Sequence, residues 1–188
     1  MIGITGSIGA GKSLVGRLLR DRKIRVIDAD VAVHHLYRDD AGLRTAIADA
    51  FGADMLTEKG ICRSRMADLI FKDPSARAKL ESLVYPVLTR YLLRANPAFV
   101  EAALFENVPE LVEKLEAIWV VTASEEVRLK RLIENRGFSE EDARRRIELQ
   151  RPRDSEEFWR RLFPNTPVKF IDNSSDESAL RNTVVALL

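Results

Sequence analysis

The clearest chemistry in the chain lies near its start. Gly6-Ser7-Ile8-Gly9-Ala10-Gly11-Lys12-Ser13 matches the pattern G-x-x-x-x-G-K-[ST] in full. Its glycines let the backbone turn tightly and bring amides up to an anion with no Cβ in the way. Those amides, and the helix N-terminus that the motif opens, aim partial positive charge at a phosphate. Lys12 then reaches the β- and γ-phosphates of a nucleotide, and the Ser13 hydroxyl ligates Mg²⁺. The context fits: an apolar stretch at 1–5 precedes the motif, and an amphipathic helix over 13–22 follows it.

Acidic residues come next. Asp28 and Asp30 follow a second apolar stretch, 24–28. In open α/β sheets ligands sit beyond the carboxyl ends of the strands. A right-handed crossover returns the second strand parallel to the first, so both acids are expected on the rim that carries Lys12. There a carboxylate can accept the proton of an attacking hydroxyl or hold the Mg²⁺ shell. Loop caps or turn residues are the other reading. Glu106 follows a third apolar stretch, 98–105, and can hold the metal or its water, or sit in the first turn of a helix. Glu101 falls inside that stretch, as a strand residue or one facing a substrate cleft.

Arg144, Arg145 and Arg146 follow Glu140, Glu141 and Asp142 at i,i+4 spacing. Three successive residues span about 200° of a helix, so they cannot all face one ligand. Arg136 and Arg146 are the candidates for stabilising transition-state charge when a lid closes. His34 and His35 point in different directions on a helix and make a poor metal site.

Positioning these groups requires an α/β fold. Apolar stretches at 1–5, 24–28, 98–105, 117–122 and 168–171 alternate with helical patterns, which predicts a sheet with helices on both faces. Two mostly helical regions interrupt it, 39–96 and 124–163. Asp73-Pro74 predicts the capped start of a long helix, and Pro86 should kink or break it. Ser139 with Asp142 resembles a capping box. A last helix is expected from about Asp176.

Composition bounds the partners. The chain has 188 residues, 46% apolar and 31% charged, with 30 Lys and Arg against 29 Asp and Glu. The apolar content excludes disorder as a description of the whole chain, and no stretch reaches the ~18 apolar residues of a membrane span. A net charge of +1 argues against a nucleic-acid binder driven by charge alone. It hides a basic start: residues 1–38 carry seven basic and three acidic side chains. Cys62, the one cysteine, reads as inert and offers no internal disulfide. The N-terminus shows no signal pattern, so a cytoplasmic protein is expected, as a monomer or weak homo-oligomer.

The N-K-x-D tetrad and D-x-x-G switch of GTPases are absent. A small-molecule kinase fits the size, the insertions and the near-neutral charge. The stretch Ile4 to Ser13, followed by Val26-Ile27-Asp28-Ala29-Asp30, resembles the dephospho-CoA kinase family. Tyr85-Pro86, Leu104-Phe105-Glu106, Arg146-Ile147 with Gln150, and Ile171-Asp172-Asn173 fall in that family's order and spacing, so the resemblance covers essentially the whole chain. It implies a P-loop kinase fold: a five-stranded parallel sheet over 1–38, 97–123 and 164–188, a helical substrate-binding insertion at 39–96, and a helical lid at 124–163. It implies transfer of the ATP γ-phosphate, with Mg²⁺, to the ribose 3′-hydroxyl of dephospho-CoA, the last step of CoA synthesis.

By position, Asp30 would be the general base, Lys12 would stabilise the transferring phosphoryl group, and Arg146 would reach in from the lid. Gly6, Gly9, Ala10, Gly11, Lys12, Ser13, Leu14, Arg136 and Asn173 would hold ATP. Tyr85, Leu104 and Glu106 would join Asp30 on the substrate side. Leu14 and Tyr85 depart from the family pattern, which has Thr and His there. A kinase for another small alcohol or a nucleoside monophosphate, and a nucleotide-sensing module without transfer, are the alternatives.

Overall fold

A computed structural model describes all residues, 1–188. In chain order the first elements are β1 (Ile2–Gly6), α1 (Lys12–Asp21), β2 (Val26–Asp28), α2 (Ala29–Asp39) and α3 (Ala41–Phe51). A hairpin of β3 (Leu56–Thr57) and β4 (Gly60–Ile61) leads to α4 (Arg63–Lys72) and α5 (Pro74–Ala95). Then come β5 (Phe99–Glu101), α6 (Pro109–Val112), β6 (Ala117–Thr122), α7 (Glu125–Arg136) and α8 (Glu140–Leu149). The chain ends with α9 (Glu156–Leu162), β7 (Val168–Asp172) and α10 (Glu177–Ala186). No helix is long and apolar enough to cross a membrane.

The main sheet has five strands in the order β2-β5-β1-β6-β7. β1 pairs in parallel with β5 and β6, and β6 with β7. Such strands are covered on both faces, so they read as apolar runs rather than alternations. β6 shows this: Ala117 to Val121 are all buried. On one face Val15, Leu18 and Leu19 of α1 pack with Leu180 and Val184 of α10 over Ile4 and Trp119. The crossover from β1 through α1 thus places the loop between them at the carboxyl edge of a central strand.

The chain packs as two compact units, Met1–Val26 with Pro97–Leu188, and Ile27–Asn96. The second is helical, with α5 touching α2, α3 and α4. Local chemistry sets the start of α5: Asp73 Oδ1 accepts from the amides of Ser75 at 2.8 Å and Ala76 at 3.2 Å, and Pro74 takes the first turn. The Ser75 and Ala76 hydrogen bonds hold the Asp73 carboxyl below its ordinary pKa.

The expected break at Pro86 does not occur; α5 runs from Pro74 to Ala95. Leu80, Val84, Leu88 and Leu92, four residues apart, are all buried. That stripe anchors the turns on both sides of Pro86, and packing outweighs the ~3 kcal/mol that an interior proline costs. The third strand is also shorter than its apolar run suggests, ending at Glu101, with Phe105 opening a 3₁₀ turn. Ser139 does cap α8, accepting from the Asp142 amide at 3.1 Å. Asp176 caps α10 by accepting from the Ala179 amide at 2.9 Å.

Candidate active site

The glycine loop is a backbone cradle. Gly6, Gly9 and Gly11 all have positive φ. At Gly11, φ is +102° and a Cβ would lie 2.1 Å from Asn173 Nδ2, so only glycine fits. Asn173 is 1% exposed and donates from Nδ2 to the Ala10 carbonyl at 2.7 Å. It is held in turn by its amide, which donates to the Thr122 carbonyl at 2.8 Å. The loop after β7 therefore buttresses the phosphate loop.

α1 has no side-chain cap and no acid in its first turn. By contrast, α2, α5, α7 and α8 are capped by Asp28, Asp73, Ser124 and Ser139. The positive end of the α1 dipole is thus left for an anion. Lys12 Nζ donates to the carbonyls of Gly6 at 2.8 Å and Ser7 at 3.4 Å, so its ammonium lies along the loop. Leu14 packs toward the apolar core beneath α1.

Ser13 Oγ donates to Glu101 Oε1 at 2.7 Å, and Glu101 is 5% exposed at the end of β5. The rule that an acid ends the strand beside the phosphate loop therefore picks out Glu101, because β5 stops there. Glu106 lies in the following 3₁₀ turn and is ion-paired with Arg153. It also borders an apolar cavity of about 330 Å³ walled by Phe105, Leu115 and Phe163. Leu104, just before that turn, is half-buried.

Two arginines of α7 that the sequence reading passed over face the loop. Arg131 donates to the Asn173 carbonyl at 2.9 Å and lies 3.3–3.4 Å from the carbonyls of Ala10 and Gly9. Desolvation pushes its pKa down, against the pull of Asp172. Arg128 is buried against Asp154. The readable signal is their place in the apolar stripe, at i and i+3 beside Leu132. The two arginines chosen from sequence, Arg136 and Arg146, are exposed. Arg144 pairs with Glu140, but Arg145 reaches Asp142, and Arg146 lies over the Phe138 ring at 4.6 Å. The expected Asp142–Arg146 pair is replaced by that cation–π contact.

In the helical unit, the two aspartates separate in role. Asp28 caps α2, its Oδ1 accepting from the amides of Asp30 at 2.9 Å and Val31 at 3.1 Å. Asp30 instead borders a cavity of about 440 Å³. His34 and Tyr37 follow it on the same face of α2, and Glu81, Val84 and Tyr85 of α5 line the opposite wall. His34 has its pKa lowered, first by burial and then by Arg63, with Asp30 and Asp28 opposing, so its neutral form is favoured.

Burial, reinforced by Tyr85, pushes the Tyr37 hydroxyl up to about 12. It is therefore a hydrogen-bond donor throughout the neutral range. A raised folded-state pKa stabilises fully below the unfolded value of 10.0 and is lost as pH rises through about 12. Alkaline unfolding should show this. Between those pH values the parent should lose up to ~3 kcal/mol that Tyr37→Phe does not lose. Equal pH slopes for the two proteins would contradict the shift.

A glycine cradle on a helix start, a lysine along it and an acid on its serine, carried by a parallel α/β sheet, define a P-loop phosphotransferase. A family model described as dephospho-CoA kinase matches residues 1–163. A dephospho-CoA kinase of Streptococcus mutans serotype c is 35% identical over 160 residues, covering 81% of each chain. One of Syntrophotalea carbinolica is 32% identical over 197 residues, covering 100% of this chain and 90% of its own. The crystal structure of TT1252 from Thermus thermophilus superposes with a TM-score of 0.70 at 26% identity, covering 99% of this chain and 94% of that one. The chain belongs to the dephospho-CoA kinase family.

Proposed function

We propose that this chain transfers the γ-phosphoryl group of ATP to the ribose 3′-hydroxyl of dephospho-CoA, giving CoA and ADP, the final step of CoA biosynthesis. The family match over residues 1–163, with the phosphate loop complete inside it, carries this reading.

The loop amides and the start of α1 bind the phosphates, and Lys12 neutralises charge that develops on the transferred group. Ser13 and Glu101 offer hard oxygen donors, directly or through water, which suits Mg²⁺ arriving with ATP. Mg²⁺, when bound there, would neutralise charge on the phosphates. Asn173 and the loop that it holds lie near the base of ATP.

Asp30 accepts the proton of the attacking hydroxyl. The cavity beside it takes the acceptor: its aromatic and aliphatic walls suit a nucleoside, and the Tyr37 hydroxyl stays available as a donor. Residues 39–96 form the acceptor-binding piece with Tyr85 on its wall, and residues 124–163 form the lid. Leu104 and Glu106 lie on the acceptor side. Arg136 and Arg146 are exposed side chains that the lid brings to the phosphates on closing. The test is an assay of purified protein with ATP, Mg²⁺ and dephospho-CoA, followed by locating the new phosphate. ADP formation dependent on dephospho-CoA, with product phosphorylated at the 3′ position, is expected. ATP turnover that ignores this acceptor, or a phosphate elsewhere, would reject it.

A further inference from the structure

One ion pair next to the phosphate loop, buried at its arginine and 37% exposed at its carboxylate, has no part in the reaction as outlined. Arg128 on α7 is 1% exposed, and its Nη2 lies 2.6 Å from Asp154 Oδ2. Its Nε and Nη1 are buried with no hydrogen-bond partner. Idle buried donors on a desolvated charge are costly. An apolar side chain in the place of Arg128 would serve stability as well or better. The arrangement therefore calls for a reason other than stability.

The contacts of Asp154 supply one. Its second oxygen, Oδ1, accepts from Ser7 Oγ at 3.1 Å. The Ser7 carbonyl is in turn one of the two that take the Lys12 ammonium, at 3.4 Å. The next loop residue is held from the same side: Gln150 Oε1 accepts from the Ile8 amide at 2.7 Å. The Ile8 side chain packs against Leu132, Ala143 and Ile147. Gly9 rests on Arg128 itself, where an added Cβ would lie 3.1 Å from both its carbonyl oxygen and its Cβ. Three consecutive loop residues are thus gripped by residues between 128 and 154.

We infer that Arg128 and Asp154 are positioning residues for phosphoryl transfer: their ion pair fixes the Ser7–Gly9 half of the loop and, through Ser7, the Lys12 ammonium. The inference rests on reading this loop as the ATP site. Pairing also explains how a carboxylate can sit beside an anion site. Arg128 cancels its charge, so Asp154 supplies an acceptor for Ser7 without repelling the incoming phosphates. A misplaced loop should affect phosphate binding and transfer, and leave contacts to the nucleoside alone.

Two variants separate positioning from folding. Ser7→Ala cuts the loop from Asp154 and leaves the ion pair in place. Arg128→Met with Asp154→Leu removes both charges together, so that neither is left unpaired. Both should keep the parent's melting temperature within a few degrees. Both should lower kcat and weaken ATP binding by about tenfold to a hundredfold, with adenosine binding within about twofold of the parent. Calorimetric titration with ATP and with adenosine, alongside steady-state kinetics, reads these effects. If the double variant does not fold, Ser7→Ala alone decides the matter. A folded variant with kcat and ATP affinity within about twofold of the parent overturns the inference. So does an equal loss toward ATP and adenosine. A parent that binds no ATP rejects the reading of the loop itself, which is a different failure.

Discussion

Asp30→Asn is expected to lower ADP formation dependent on dephospho-CoA by about 10²–10⁴, the range that general-base catalysis contributes. The amide has nearly the carboxylate's shape and cannot take up the hydroxyl proton. Structure makes the experiment clean. The cap of α2 is Asp28, and what Asp30 gives to that cap is its backbone amide, at 2.9 Å from Asp28 Oδ1. The substitution leaves that bond untouched, so helix and fold should persist. ATP affinity should also stay near the parent's value. Asp28→Ala is the contrast: loss of the cap should cost about 1 kcal/mol of stability, with turnover within about tenfold of the parent after correction for folded protein. A rate for Asp30→Asn within about tenfold of the parent would mean that another group takes the proton.

Lys12→Ala should cost about 10²–10³ in kcat, the effect of removing one donor aimed at transition-state charge. Lys12 already lies along the loop, against the carbonyls of Gly6 at 2.8 Å and Ser7 at 3.4 Å. Its ammonium is therefore placed by the same backbone that is proposed to bind the phosphates. Lys12→Arg tests whether charge alone suffices. A planar guanidinium cannot occupy the space of a compact ammonium with the same geometry, so little activity should return. The decisive reading is the division between constants. A rise in KM for ATP with kcat unchanged would assign Lys12 to uniform binding, and the proposed role in the transfer step would fall.

The acid beside Ser13 shows where reading the sequence stops short. Apart from Glu101 the stretch stays apolar up to Phe105, so hydrophobicity alone marks Glu106 as the acid that ends the strand. Pairing ends the strand sooner. Ile2, Gly3 and Ile4 pair with Phe99, Val100 and Glu101. The Ala102 amide still donates to the Ile4 carbonyl, and beyond it the Thr5 hydroxyl donates to the Ala103 carbonyl at 3.4 Å. Hydrophobicity is a property of one segment, whereas a strand end belongs to two.

The arginines repeat the lesson. Residues 124–161 carry eleven basic and ten acidic side chains, a pattern that reads as solvated helices laced with local pairs. It is right for Arg144, which pairs one turn away with Glu140. It fails for Arg128 and Arg131, whose partners Asp154 and Asn173 lie far along the chain. No helical spacing reveals those partners.

What was legible from residues alone is what local physics governs. The shape of the phosphate loop follows from its glycines, the starts of α5, α8 and α10 from their caps, and the parallel sheet from alternating apolar runs and helices. Each depends on backbone freedom, a hydrogen bond reaching a few residues, or a repeating pattern. Pro86 marks the boundary, since proline chemistry predicted a kink or a break and the helix runs unbroken through it, over a buried stripe of Leu80, Val84, Leu88 and Leu92. The place of Glu101 on Ser13, the capping of α2 by Asp28 and the burial of Arg128 against the loop all required the folded chain. Long-range pairing and packing supply energies comparable to the local preferences, and they act between residues that the linear order keeps apart.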